Sequence, residues 1–213
     1  MIMYSVVNLE GIHASRAEAR RRSSTFAKGM LRTLLQVLTG VPGSAWALST
    51  DRYGKPTAHS QGQLVTPEVS ISHSRSWIAA AVSTVGPIGI DIECQRPGRD
   101  VIAIAESSFG DKERAEVAIG GPDSFYRIWT LREAMAKAVG VGLPMVIDKK
   151  DRASNMTASG KCSATIDNLN WLLLNSQPTD GVHLALAVVA HSYHGLDEMP
   201  ILVGWHPTSP QLI

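Results

Sequence analysis

Gly86-Pro87-Ile88-Gly89-Ile90-Asp91-Ile92-Glu93 starts as a turn and runs into an apolar alternation that carries two acids one residue apart. Alternate side chains of a strand share a face, so the spacing predicts Asp91 and Glu93 side by side, with Cα atoms roughly 6.5–7 Å apart. Two such carboxylates raise each other's pKa unless a cation or a donor stabilises them. They form either a site for one hard cation or a solvated strand end.

The nearest chemistry downstream is Phe125 to Gly142, FYRIWTLREAMAKAVGVG. Ile128, Leu131, Met135 and Val139 make the buried stripe of a helix, while Glu133 and Lys137 stand four apart on another face. By themselves these two could be an exposed ion pair. Upstream, Glu68 to Ser74 alternates as a strand, with Val69, Ile71 and His73 on one face and Ser70, Ser72 and Ser74 on the other. His73 is thus either a core histidine or a site residue, and no Gly-x-Ser-x-Gly elbow supports a serine nucleophile.

Further out, the pattern predicts a strand over 1–9, a helix over 15–38 with Arg16, Arg20, Arg21 and Arg22 at its start, and a strand over 45–49. The turn Asp51 to Pro56 follows, then strands over 77–83 and 88–92. A helix begins near Val101, and Gly120-Gly121-Pro122 breaks the chain before the Phe125 helix. The remainder reads as strands over 156–159, 162–166, 169–175, 182–191 and 199–205, divided by Gly160, Pro178 and Gly181. Each half offers strands around one long helix. The expected class is α+β: two similar α/β subdomains in a pseudo-twofold arrangement, 1–85 and 86–213, with a cleft between them.

The chain has 213 residues, 20 Lys+Arg against 19 Asp+Glu, so no global field favours nucleic acid or an acidic membrane. Cys94 and Cys162 belong to no metal-spaced motif, no secretory leader is evident, and no run is long enough for a membrane span. A cytoplasmic protein is expected.

Tyr53-Gly54-Lys55-Pro56, Ser70-Ile71-Ser72-His73-Ser74, Gly89-Ile90-Asp91-Ile92-Glu93 and Trp129-Thr130-Leu131-Arg132-Glu133-Ala134-x-x-Lys137 occur in that order. Together they resemble the 4′-phosphopantetheinyl transferases of the surfactin-synthetase-activating type. The resemblance implies transfer of the phosphopantetheine arm of coenzyme A to a serine of an apo acyl or peptidyl carrier protein, with release of adenosine 3′,5′-bisphosphate. It implies Mg²⁺, or Mn²⁺, on Asp91, Glu93 and Glu133. Glu133 would be the base for the carrier serine, with a metal-bound water as the competing base, and Lys137 would touch the pyrophosphate.

Ser72 and His73 match contacts to the 3′-phosphate end of the coenzyme, Lys55 a contact to its adenine nucleotide, and Arg16 and Arg22 more loosely its basic phosphate contacts. Arg132 stands where the family commonly has Lys, which keeps charge and changes geometry. A monomer is expected, since one chain contains both halves, and the segment from Arg99 to Ser124, with Lys149 and Lys150, is expected to meet the carrier. The competing functions are a metal-dependent phosphohydrolase and a non-catalytic coenzyme A binding protein.

Overall fold

A computed structural model describes residues 1–10, 16–52, 54–63, 66–153, 160–189 and 202–205. The apolar alternation at its start becomes β1 (Ile2–Asn8), followed by α1 (Arg16–Thr39), the hairpin β2 (Ala47–Thr50) and β3 (Pro56–His59), then β4 (Glu68–Ser74) and β5 (Trp77–Ser83). After the Gly86-Pro87 turn come β6 (Ile88–Cys94), α2 (Val101–Ser108), α3 (Asp111–Val139), the short α4 (Leu143–Val146), β7 (Gly160–Ile166), β8 (Leu169–Thr179), β9 (Val182–Val189) and β10 (Leu202–Trp205). The fold is α+β, as expected. The predicted strand over 156–159 lies outside the described residues.

Two four-stranded sheets result, ordered β10-β1-β5-β4 and β6-β9-β8-β7. All pairings within them are antiparallel except β1 with β10, so the chain's later residues return to the first sheet. The turn at 85/86 separates β5 from β6. Alternation then sorts the core into layers. Met3, Val69, Ile78 and Val82 face Leu31, Leu34 and Leu35 of α1, and Ile2, Val6, Ala79 and Ala81 face Ile88, Ile90, Leu172 and Leu184 of the second sheet. Phe125, Ile128, Leu131 and Met135 of α3 cover that sheet's other side. The layer order is α1, first sheet, second sheet, α3.

The break expected at Gly120-Gly121-Pro122 is a kink. Gly121 takes φ 58°, ψ −139° inside α3, and residues on both sides of it are helical. Glycine relieves the backbone there, and Pro122 adopts the first-turn position that lacks a helical N–H partner anyway. Pro178 does not end β8 either. The strand runs to Thr179 with a register shift between Ser176 and Thr179, beyond its last pairing with β7 at Asn175, where a missing N–H is tolerated. Among the described residues no helix is long and apolar enough to cross a membrane.

Gly89 decides how α3 lies on β6. A Cβ on Gly89 would stand 1.9 Å from the Ala134 carbonyl oxygen and 2.7 Å from the Ala138 nitrogen. Backbone atoms cannot turn aside as a side chain can, so Gly89→Ala is expected to destabilise the fold by about 3 kcal/mol or more. Urea denaturation measures this; a loss below about 1 kcal/mol would show that α3 can shift freely.

Candidate active site

The contact at Gly89 lays the second half of α3 across β6, so Glu133 and Lys137 meet the acids of that strand. Lys137 Nζ lies 2.7 Å from Asp91 Oδ1, 3.0 Å from Ser72 Oγ and 3.1 Å from the Ile90 carbonyl oxygen. Asp91 is only 4 % exposed; its Oδ1 also accepts a 2.7 Å hydrogen bond from Ser72. Its Oδ2 is buried and has no partner. Glu93, half-buried, accepts a 2.8 Å bond from Ser74 and lies 3.9 Å from Arg96.

Two of the acids are shifted by their surroundings. Burial pushes the Glu133 carboxyl above the usual glutamate range, Asp91 and Glu93 add to that rise, and Lys137 opposes it. Glu93 is raised as well, first by burial and then by Asp91, against the Ser74 hydrogen bond and the charges of Arg96 and Arg99. Among the described residues no group of three or more His, Cys, Asp or Glu side chains is drawn together enough to hold a metal ion as it stands. The donor set still fits one: hard carboxylate oxygens, an orphaned buried oxygen, and acids whose charge is under-compensated.

The serines of β4 make this seam. Ser70 Oγ accepts the Ile90 N–H and Ser74 Oγ the Cys94 N–H, each at 3.1 Å. These N–H groups belong to the free edge of β6, so hydroxyls take the place of a neighbouring strand. The alternation was legible in the sequence, but the buried role of its polar face was not.

Ser72 and His73 are neighbours with opposite outlooks. Ser72 belongs to the acid cluster, whereas His73 is exposed on the α1 side, which sets aside the core-histidine alternative. There it lines a cavity of about 350 Å³ with Ser24 and Lys28 of α1, and Ser49 and Thr50 of β2. An ammonium, an imidazole and several hydroxyls around one hollow suit a phosphorylated ligand. Lys28 escaped the sequence reading because the arginine run drew attention to the first turns of α1. Arg22 is exposed on α1; the side chain of Arg16 lies outside the described residues. Lys55 reaches Glu68 at 2.8 Å and the Ala138 carbonyl at 3.2 Å, tying the β2–β3 turn to β4 and to the end of α3.

Arg132 is wholly buried, although charge patterning gave no hint of it. Its guanidinium donates to Glu113 at 2.6 Å, to Asp148 at 3.0 Å and to the carbonyls of Val146 and Lys150, both at 2.6 Å. Glu113 accepts in addition the N–H groups of Arg152 at 2.9 Å and Ala153 at 2.7 Å. Asp151 meanwhile caps α3, its Oδ1 taking the N–H groups of Lys112 and Glu113 at 3.0 and 3.1 Å. Position 132 therefore fastens the segment after α3 to the start of the same helix.

Residues 87–187, which include Asp91, Glu93, Glu133 and Lys137, match the model of the 4′-phosphopantetheinyl transferase superfamily. The chain is 29 % identical over 178 residues to the 4′-phosphopantetheinyl transferase HetI of Nostoc sp., covering 81 % of this chain and 73 % of that protein. A 4′-phosphopantetheinyl transferase of Bacillus subtilis is 33 % identical over 123 residues, covering 56 % of this chain and 52 % of its own. The AcpT transferase of Salmonella typhi is 28 % identical over 174 residues, 79 % of this chain and 84 % of that one. The match thus spans about half the length of the B. subtilis relative and most of the other two. With its acid pair, helix and lysine inside the matched range, this chain is similar to the 4′-phosphopantetheinyl transferase superfamily over residues 87–187.

Proposed function

We propose that this protein transfers the 4′-phosphopantetheine arm of coenzyme A to a serine hydroxyl of an apo acyl or peptidyl carrier protein, as a cytoplasmic monomer. The observation that carries the proposal is the seam itself: a buried Asp91 with an unpartnered oxygen, two acids of raised pKa, and a lysine on the same helix as one of them. The names of the relatives support the same chemistry.

Asp91, Glu93 and Glu133 would hold Mg²⁺, or Mn²⁺, which when bound neutralises charge gathering on the coenzyme's diphosphate. Glu133 takes the proton of the carrier serine. The serine oxygen bonds to the phosphorus that bears pantetheine, and the bond from that phosphorus to the bridging oxygen breaks. Adenosine 3′,5′-bisphosphate leaves with the electron pair, and the Lys137 ammonium stabilises it.

His73 and Lys28, on the cavity side of β4, receive the phosphorylated nucleoside end, with Lys55 and Arg22 near that side of the fold. Ser72 serves at the junction between cavity and acids. The halves 1–85 and 86–213 act as two subdomains whose seam is the site, although β10 lies in the first sheet. The carrier meets α2 and the first part of α3, where Ile102 and Ile119 are exposed beside a cleft.

The test is the intact mass of apo carrier proteins after incubation with the protein, coenzyme A and Mg²⁺. A gain equal to phosphopantetheine is expected, and it is expected to vanish with chelator and with Asp91→Ala. Coenzyme A bound without any gain would instead indicate a binding protein. Coenzyme A cleaved without a carrier would indicate a phosphohydrolase.

A further inference from the structure

Granting that Asp91 binds a divalent cation as proposed above, we infer that Lys137 is a cation of the protein's own within the acid seam and competes with the metal for Asp91. Its ammonium has three oxygen acceptors, Asp91 Oδ1, Ser72 Oγ and the Ile90 carbonyl oxygen, and an ammonium has three N–H donors. Ser72 fixes both partners at once, since its hydroxyl donates to the same Asp91 oxygen that Lys137 holds.

The other oxygen of Asp91 is left buried and unpartnered, so the carboxylate is held half engaged. A divalent ion arriving at that carboxylate meets a unit positive charge already within 2.7 Å of it. Like charges a few ångströms apart in a half-buried site repel strongly enough to weaken binding by at least about tenfold.

Lys137 is on α3, one turn beyond Glu133, and its side chain is 31 % exposed, so it can swing away from β6 without unpacking the helix. It does so when a second anion offers it an equal partner. The diphosphate of coenzyme A is that anion. Metal and coenzyme then bind together readily and the metal alone poorly, a coupling set by one side chain.

The experiment measures Mn²⁺ binding to the full chain by electron paramagnetic resonance, without coenzyme A or carrier. It compares the natural protein with Lys137→Met, Lys137→Arg and Asp91→Asn, each checked for folding by circular dichroism. Lys137→Met is expected to bind Mn²⁺ at least about tenfold more tightly than the natural protein. Lys137→Arg keeps the charge and is expected to stay near the natural affinity. If the Met variant does not fold, Lys137→Gln, uncharged and of similar reach, takes its place.

Equal affinity in the natural protein and the uncharged variant, lost in Asp91→Asn, overturns the competition and leaves the metal site intact. No Asp91-dependent Mn²⁺ binding in any protein removes the metal site, and the competition with it.

Discussion

Glu133→Gln is expected to slow transfer to the carrier by about 10²–10⁴-fold, the usual contribution of a positioned base. The same change is expected to raise the melting temperature of the metal-free protein at about pH 8, and the sign follows from linkage. Burial first, then Asp91 and Glu93, hold the Glu133 carboxyl above the usual range against the pull of Lys137. The folded protein therefore keeps a proton that the unfolded chain has already released. Stability falls as pH rises from the ordinary glutamate range to the raised value, and the amide has no such loss.

Differential scanning calorimetry in chelator, across pH, reads the effect. The gap between variant and natural protein should be widest in mild alkali and close as the pH drops below the ordinary glutamate range. A variant that is slower but melts no higher at any pH would mean that Glu133 feels neither its burial nor its neighbours.

Arg132→Met is expected to cost about 3–5 kcal/mol, because it strands Glu113 in a wholly buried position. A buried ion pair can often be replaced whole by apolar residues at little cost, but this one resists such repair. Glu113 also takes the backbone N–H groups of Arg152 and Ala153, which would lose their acceptor if it too were removed. The double variant Glu113→Leu with Arg132→Met should therefore remain destabilised. Arg132→Lys keeps the charge with three donors in place of five and is expected to fall between Met and the natural residue. Guanidinium denaturation of the three variants gives the order. A neutral double variant would mean that the segment after α3 holds itself.

Local pattern carried much of this architecture. The alternation of Glu68 to Ser74 and the apolar run from Trp77 to Ser83 gave strands with the boundaries observed. The acids of β6 and the Glu133–Lys137 spacing pointed to one seam. What escaped has a common physical cause: it depends on partners distant in sequence. Arg132 looks like any helical cation until Glu113, Asp148 and four backbone carbonyls surround it. Lys28 gains meaning only when His73 arrives from β4 across the same cavity. The helical residues before Gly121 were hidden by a Gly-Gly-Pro signal that ends most helices but here only bends one.

The parallel pairing of β1 with β10 reverses the order in which a growing chain can finish its halves. The second sheet uses one continuous stretch, from Ile88 to Val189, and all its strands are present once that stretch has emerged from the ribosome. The first sheet begins with residue 2 but waits for residues 202–205 to supply its outermost strand. During synthesis the earlier-made half, with the cavity lined by Lys28 and His73, keeps one flank open while the later-made half closes beside it. The part of the molecule translated first is thus the last to be complete.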